Sequence, residues 1–239
     1  MELLGKGTYG KVYVSDDDPR KAVKIIKRDE ASKFESGEYL LSINNEHIAK
    51  VFQVETYVSQ IYIYMARYDS DLQKLISSTH STLPLHDITR LEHQIGSALQ
   101  YLHHNQCILH ADVKPDNILL DQNVNFFLCD FSLSMDLNQD ILMATNQVYS
   151  AFYRPPILYY NTQIKNGHKI REEYDFYALF MVLCFAYAHF ILVDDPSNVE
   201  EIVKCFWKFK IKEFPRLLNN DFNILIYKDM YVKAFQLCY

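Results

Sequence analysis

The apolar residues of the first 65 positions occur in short runs that are typical of β-strands, most of them rich in β-branched or aromatic side chains. These runs lie at Leu3-Leu4, 12–14, 21–27, 51–58 and 60–65. Between them, apolar residues near helical spacing predict one helix over 34–44. We therefore expect a small antiparallel sheet with one main helix.

From Asp71 onward the apolar positions follow a helical period instead, and two helices are predicted at 72–76 and 91–103. A third segment, 176–193, is 18 residues long and carries no formal charge, which reaches the lower limit for a membrane-spanning helix. Its flanks are acidic, whereas Lys and Arg are expected beside a cytoplasmic membrane end, and it contains His189. We favour a helix that is buried on all sides in the protein core.

The two regions are connected only by residues 66–70, which is too short a linker to separate independent units. We predict an α+β fold in which a β-rich lobe (1–65) and a larger, mostly helical lobe (71–239) enclose one cleft. The whole chain, 1–239, is expected to form a single domain.

Composition and charge narrow the class of protein. The chain is 49% hydrophobic and 23% charged, as in ordinary globular proteins. Its formal net charge is −6, all of it attributable to residues 66–150, and an acidic chain without a basic stripe argues against nucleic-acid partners. Five cysteines without a C-x-x-C pair indicate neither a disulfide framework nor a zinc site. With no secretory signal, we expect an intracellular protein of the cytoplasm or nucleus, without a membrane partner.

Three of the six glycines fall within the first ten residues. The segment 5–10, Gly-Lys-Gly-Thr-Tyr-Gly, lies between two predicted strands, and residues without a Cβ let a backbone approach phosphates closely. A dinucleotide-binding turn is the rival interpretation, but that motif requires a following helix, whereas a strand is predicted here. A glycine-rich hairpin without a ligand also stays open from this motif alone.

Lys24 lies inside an apolar run on the third predicted strand. An isolated buried ammonium is costly, so Lys24 needs an anion, and the candidates are Glu38 on the predicted helix and phosphate oxygens. The other interpretation is a lysine at a strand end that points into water.

Two later segments concentrate the remaining polar chemistry. Asp112, Lys114 and Asn117 lie in a short run between two apolar, strand-like segments, which suits a catalytic loop on a rigid base. Asp130 directly follows the next apolar strand. Carboxylate and amide oxygens are the ligands that Mg²⁺ takes when phosphates complete its shell. Asn117 and Asp130 are therefore candidate metal ligands.

Together these motifs resemble the eukaryotic protein kinase domain of the serine/threonine class. The order is G-x-G-x-x-G-x-V, A-V-K, a helix glutamate, H-x-D-x-K-x-x-N and D-F-x over residues 4–132, with a looser match at 153–156 and Asp175. The resemblance implies a bilobal fold, ATP as co-substrate, Mg²⁺ or Mn²⁺ as cofactor, and a protein substrate. A compact, divergent kinase of this kind is expected either in a virus, which would place it in the host cell, or in a fast-evolving unicellular lineage. We assume that it is a monomer.

The resemblance also implies roles for individual residues. Asp112 would orient the acceptor hydroxyl and take its proton, while Lys114 would steady the γ-phosphoryl group. Lys24, paired with Glu38, would bind the α and β phosphates. Ser150 would contribute a hydroxyl beside Asp112, an arrangement that implies serine or threonine as the acceptor.

The nucleotide and metal sites follow from the same resemblance. Asn117 and Asp130 would hold the metal, and Asp175 would brace the catalytic loop. The ATP-binding residues would be Leu4, Gly5, Lys6, Gly7, Thr8, Tyr9, Gly10, Lys11, Val12, Ala22, Lys24, Met65 as the gatekeeper, Ala66, Tyr68, Asp71 at the ribose and Leu119. Acids of the middle region, such as Asp69, Asp71 and Asp116, favour a basic sequence around the acceptor.

Several residues depart from the family pattern. Ala111 replaces an arginine that receives an activation-segment phosphate, so we expect activity that does not need phosphorylation of Thr145. Ser132 replaces the glycine of D-F-G, which should make an inactive, flipped state of the preceding aspartate less accessible. Ile157 replaces the glutamate that the family carries after Pro-Pro, and the C-terminal region shows no clear arginine partner for such a glutamate. The alternatives are therefore a pseudokinase that acts as an ATP-binding scaffold and a small-molecule phosphotransferase of the same fold.

Overall fold

The computed structural model describes residues 2–7, 10–79, 81–138, 142–143, 150–155, 157–160, 168–169, 171–188 and 227–237. The strands of the first lobe are β1 (Leu3–Lys6), β2 (Gly10–Val14), β3 (Lys21–Lys27), β4 (Val51–Thr56) and β5 (Gln60–Ala66). They form one antiparallel sheet in the order β1-β2-β3-β5-β4. The predicted strands are confirmed, and the central strand β3 buries Ala22, Val23 and Ile26.

The single predicted helix of this lobe is interrupted. A 3₁₀ turn covers Lys33–Glu35, and the α-helix α1 covers only Gly37–Ser42. Ser36 between them is extended, with φ −71° and ψ 152°. The Glu35 carboxylate accepts a hydrogen bond from the Ser32 N–H at 3.3 Å, which closes the turn in the manner of a capping box. The α-helix therefore begins after Glu35.

The second lobe is mostly helical. Its helices are α2 (Leu72–Thr79), α3 (Leu85–Asn105), α4 (Ile157–Tyr160), α5 (Glu173–Ala188) and α6 (Lys228–Leu237). Its strands are β6 (Ser70–Asp71), β7 (Ile108–Leu109), β8 (Ile118–Leu120), β9 (Phe126–Leu128), β10 (Met135–Asp136), β11 (Leu142–Met143) and β12 (His168–Lys169). They pair as β6-β8-β9, β7-β10 and β11-β12. The fold is α+β, as the sequence predicts.

Helix α5 forms the centre of the second lobe. Every residue from Tyr174 to Ala186 is at most 8% exposed, because α5 packs against both α3 and α6. This explains its uncharged sequence and confirms the prediction of a buried helix for these positions, while residues 189–193 lie outside the described residues. Across the described ranges, none of the helices combines the length and the apolar character needed to cross a bilayer.

Backbone hydrogen bonds join the two lobes behind the cleft. The Ala49 N–H donates to the Leu128 carbonyl, and the Leu128 N–H donates to the His47 carbonyl, both at 2.9 Å. The Asn44 N–H donates to the Tyr101 hydroxyl of α3 at 3.0 Å. These bonds hold the end of β9, and with it the following residues, beside the first lobe.

Candidate active site

The three N-terminal glycines differ in what surrounds them. A Cβ on Gly10 would lie 2.6 Å from Cγ2 of Ile26 and 2.7 Å from the carbonyl oxygen of Ile25, so this glycine lets β2 approach β3. Among the residues that the structure describes, none lies within 4 Å of a Cβ built on Gly5, and the Gly10 carbonyl lies 3.8 Å from one built on Gly7. The space beside Gly5 and Gly7 therefore suits a ligand, while Gly10 is required for packing.

Lys24 lies on β3 and is only 9% exposed. Its ammonium donates to Glu35 Oε1 at 2.7 Å and to Asp130 Oδ1 at 2.8 Å. Burial disfavours the charged ammonium, but the charges of Asp130 and Glu35 outweigh burial, so the pKa of Lys24 is raised. Lys24 therefore stays charged and links the first lobe to the segment after β9, which excludes a side chain in water.

The partner of Lys24 is a correction to the sequence analysis, which named Glu38. Glu38 is exposed on α1, whereas Glu35 is 1% exposed and contacts Lys24. In a continuous helix, residues three positions apart would share a face and both could reach the lysine. The extended backbone at Ser36 breaks that helix and selects Glu35. The S-x-x-E pattern from Ser32 to Glu35 is the sequence signal that could have identified it.

Asp130 is held in an unusual backbone conformation, with φ 68°. Burial raises the pKa of its carboxyl, but the charge of Lys24 and hydrogen bonds from Lys24 and Ser132 lower it to about 2. All of these contacts involve Oδ1. In the described part of the chain, no hydrogen bond reaches Oδ2, and the side chain is 31% exposed.

The predicted catalytic loop brings four polar side chains together. Lys114 Nζ lies 2.7 Å from Asp112 Oδ2, and Asn117 Nδ2 donates to the same oxygen at 2.8 Å. The Ser150 hydroxyl donates to Asp112 Oδ1 at 2.9 Å and accepts from Lys114 at 3.0 Å. Both oxygens of the Asp112 carboxylate are therefore oriented by neighbours, and a hydroxyl already lies against it.

Asn117 and Asp130 fit a magnesium ion by the chemistry of their remaining oxygens. Asn117 uses its amide nitrogen on Asp112, and among the described residues nothing donates to its amide oxygen. The Cys129 N–H donates to the Asn117 carbonyl at 3.0 Å, which ties the two candidate ligands into neighbouring segments. One carboxylate oxygen and one amide oxygen are thus available, and both are hard ligands of the kind that Mg²⁺ binds.

Asp175, at the start of α5, is fully buried and binds the backbone at the start of the predicted catalytic loop. Its carboxylate accepts from the backbone N–H groups of His110 at 2.8 Å and Ala111 at 3.0 Å, and it lies 2.9 Å from His103 Nε2. Burial raises the pKa of Asp175, but the hydrogen bonds and the His103 contact lower it further than burial raises it. The loop residue Ala111 has φ 62°, and these contacts hold that backbone in place.

Two of the predicted adenine-binding residues, Ala22 and Met65, face each other across the first-lobe sheet. Ala22 pairs with Met65 across β3 and β5, and the Tyr68 N–H has no acceptor in the described part of the chain. Behind Met65 lies a cavity of about 30 Å³ that Lys24 and Phe131 also line.

The other predicted nucleotide-binding residues are placed as follows. Leu4 and Lys6 lie on β1, Lys11 and Val12 on β2, Ala66 at the end of β5 and Leu119 on β8. Asp71 caps α2 instead of standing free, because its carboxylate accepts from the Lys74 N–H at 2.8 Å and pairs with its ammonium at 3.0 Å. Thr8, Tyr9 and Thr145 lie outside the described residues.

Comparison with known proteins identifies the family. A model of the protein kinase domain matches residues 1–231. The chain is 32% identical over 228 residues to NUAK family SNF1-like kinase 2 of Homo sapiens, covering 90% of this chain and 35% of the relative. It is 29% identical over 244 residues to testis-specific serine/threonine-protein kinase 1 of Mus musculus, covering 94% and 64%.

A third relative is CTD kinase subunit alpha of Schizosaccharomyces pombe, 28% identical over 168 residues, covering 66% of this chain and 28% of the relative. The chain thus spans less than two thirds of the length of each of these proteins. Because the family model spans nearly all of its length and the cleft contains the residues of the family motifs, the chain belongs to the protein kinase family.

Proposed function

We propose that this chain is an ATP-dependent serine/threonine protein kinase that uses Mg²⁺ or Mn²⁺, with residues 1–239 acting as one kinase domain. The observation that carries the proposal is the contact of one buried ammonium, Lys24, with both Glu35 and Asp130. This contact links the strand beneath the glycine segment to the candidate metal ligand. The alternative is a pseudokinase that acts as an ATP-binding scaffold, and a phosphate-transfer assay distinguishes the two.

Each side of the cleft would contribute one part of the phosphoryl transfer. Lys24, held by Glu35, would bind the α and β phosphates, and Asn117 and Asp130 would hold the metal ion. The bound metal would neutralise the charge that develops on the transferring group. Asp112 would orient the acceptor hydroxyl and take its proton, and Lys114 would stabilise the γ-phosphoryl oxygens. Catalysis would rest on positioning and charge neutralisation.

The contacts of Ser150 support a serine or threonine acceptor. Its hydroxyl bridges Asp112 and Lys114 with bonds of 2.9 and 3.0 Å. A small aliphatic hydroxyl therefore fits between the proposed base and the proposed phosphate-binding lysine.

We also propose that the acceptor lies in a basic sequence. Asp116 is exposed in the catalytic loop, two residues from Lys114. By contrast, Asp71 is engaged by Lys74, and Asp69 accepts a hydrogen bond from Gln122 at 3.3 Å. Of these three acids, Asp116 is thus the one without a hydrogen bond or ion pair in the described part of the chain, and we propose that it contacts the basic residues of the substrate. A peptide library that showed no preference for Arg or Lys would contradict this part of the proposal.

Transfer of radiolabelled γ-phosphate to a basic acceptor protein tests the activity. We expect Asp112→Asn to lower kcat by about 10²- to 10⁴-fold, the range for loss of a general base, and Lys24→Met to lower it similarly. Lys27→Met is the matched control, because Lys27 lies on the same strand but pairs with the exposed Glu30. ATP binding without transfer by the unmodified chain would favour the pseudokinase.

A further inference from the structure

Ser132 stands where the D-F-G motif carries glycine, and its hydroxyl lies inside the ionic cluster of the cleft. The oxygen lies 3.2 Å from Glu35 Oε1 and 3.3 Å from Lys24 Nζ, and it also contacts Asp130 Oδ1 closely. The Ser132 N–H donates to the same Asp130 oxygen at 3.2 Å. A glycine could supply only the N–H.

The hydrogen-bonding capacities of these groups match. An ammonium has three donors, and Lys24 directs them to Glu35, Asp130 and Ser132. A serine hydroxyl accepts from Lys24 and donates its one hydrogen to a carboxylate. One cation and two carboxylates leave the cluster with a net negative charge, so a neutral donor between the two carboxylates reduces their repulsion.

A second serine fixes the same segment from the first lobe. The Ser32 hydroxyl donates to the Phe131 carbonyl at 3.0 Å, and the Ser32 N–H donates to the other oxygen of Glu35. Phe131 also packs edge-on against the His110 ring, with 5.4 Å between centroids. The segment 130–132 is thus held by the ring and the carbonyl of Phe131 and by the hydroxyl of Ser132.

The backbone accepts serine at this position without strain. Ser132 is not among the residues with positive φ, so nothing in its conformation calls for glycine. Asp130, two residues earlier, does have positive φ, a conformation that persists only when surrounding contacts hold it. The hydroxyl of Ser132 is one of those contacts.

We propose that Ser132 is a positioning residue that holds the Asp130 carboxylate in its metal-binding orientation before nucleotide arrives. This inference rests on the proposed function, since it gives Asp130 the metal. When the hydroxyl is lost, the Asp130 carboxylate samples other orientations. The affinity for metal-bound nucleotide is then lower, in proportion to the fraction of chains that keep the carboxylate correctly placed. Lys24 and Glu35 keep their own ion pair, so the affinity for nucleotide without metal stays unchanged.

The first test is equilibrium binding of a fluorescent ATP analogue with and without Mg²⁺. We expect Ser132→Ala to weaken binding about tenfold with Mg²⁺ and less than about twofold without it, since one hydrogen bond to a charged group corresponds to about a factor of ten. Ser132→Thr keeps the hydroxyl and is expected to bind like the unmodified chain. In turnover, KM for Mg-ATP should rise about tenfold in Ser132→Ala with kcat changed less than about threefold.

Ser134→Ala is the matched control for these experiments. Ser134 lies two residues after Ser132 and is buried, but its hydroxyl donates to the His110 carbonyl at 3.2 Å, outside the cluster. This substitution is expected to lower the free energy of unfolding without changing the magnesium dependence. A general loss of stability would thus be distinguished from a loss of positioning.

The second test needs no nucleotide. Hydrogen–deuterium exchange of the peptide 129–134 in the full chain should be about fivefold faster in Ser132→Ala, because the Ser132 N–H would lose its fixed acceptor. Ser132→Thr should exchange like the unmodified chain. This result decides the positioning role even if the unmodified chain transfers no phosphate, an outcome that would overturn only the proposed function.

Two results would overturn the positioning role. One is a Ser132→Ala variant that binds the magnesium-loaded analogue and exchanges its amides as the unmodified chain does. The other is a variant that binds the metal-free analogue more tightly, which would show that Ser132 competes with phosphates for Lys24.

Discussion

The catalytic loop and the segment that carries Glu35 face the same cleft, but they are held in place by different means. The loop is anchored by its backbone, because Asp175 accepts the N–H groups of His110 and Ala111 in the core of the second lobe. The Glu35 segment is a single 3₁₀ turn held mainly by side chains, through Lys24 and Ser32. The loop is therefore held through its own backbone, whereas the position of the Glu35 segment depends on bonds made by side chains.

The largest effect is expected from breaking the anchor of the loop. Asp175→Ala leaves two buried N–H groups and His103 without their acceptor, and we expect the free energy of unfolding to fall by about 3–5 kcal/mol. Denaturant unfolding measures this loss. Glu172→Ala, three residues earlier, removes a carboxylate that is paired with the exposed His104 at 3.7 Å in the described part of the chain, and should change stability by less than about 0.5 kcal/mol. Equal effects of the two substitutions would contradict a backbone anchor.

The matched pair Glu35→Gln and Glu38→Gln tests the other side of the cleft. Glu35→Gln removes the buried partner of Lys24, but Asp130 still faces the ammonium, so we expect a loss of about 2 kcal/mol in stability and at least about tenfold in kcat/KM. Glu38 is exposed, so Glu38→Gln should change the stability and kcat/KM only slightly. If Glu38→Gln were the damaging variant, the assignment of Glu35 would be wrong.

The glycines give a comparison within one short segment. Gly10→Ala should lower the free energy of unfolding by about 1–3 kcal/mol, because its Cβ would overlap Ile26 and the Ile25 carbonyl. Gly5→Ala has free space, so it should leave thermal stability nearly unchanged and weaken ATP binding instead. Thermal melts and nucleotide titrations of both variants separate the two roles, and a stable Gly10→Ala protein would disprove the packing requirement.

The smallest effect concerns acid stability. The pKa of Asp130 is lowered from 3.8 to about 2, so its contribution is fully present above pH 3.8 and is lost as the pH falls towards 2. We expect about 1–2 kcal/mol from this carboxyl, since about a third of its side chain is exposed. Unfolding free energies measured from pH 5 to pH 2 should fall less steeply in Asp130→Asn. Parallel curves would show that Lys24 does not stabilise the ionised carboxylate.

The difference between the two sides also explains how far the sequence could predict the site. Asp112, Lys114 and Asn117 are close in sequence, and a loop between two strands fixes their relation, so their assembly was predictable. The choice between Glu35 and Glu38 depends on a backbone break at Ser36 and on a lysine eleven positions earlier. The spacing of apolar residues along a helix does not predict a contact of this kind between two separate segments.

Two further features depended on tertiary structure. Ser132 could be identified as a departure from the family pattern, but its partners come from β3 and from the turn before α1. Gly10 is predicted from the sequence to lie at the phosphates, and the structure adds a second requirement for glycine there, the packing of β2 on β3. The sheet and the buried helix α5 were predictable because alternation and a long uncharged run are local properties of the chain.

The central claim is that the cleft assembled by Lys24, Glu35 and Asp130 transfers phosphate to serine or threonine. The most direct measurement is phosphoamino-acid analysis of a basic acceptor protein after incubation with Mg²⁺ and γ-labelled ATP. We predict phosphoserine and phosphothreonine with the unmodified chain and, with Asp112→Asn, a yield lower by at least about 100-fold. Bound ATP without any labelled product, or label confined to tyrosine, would contradict the claim.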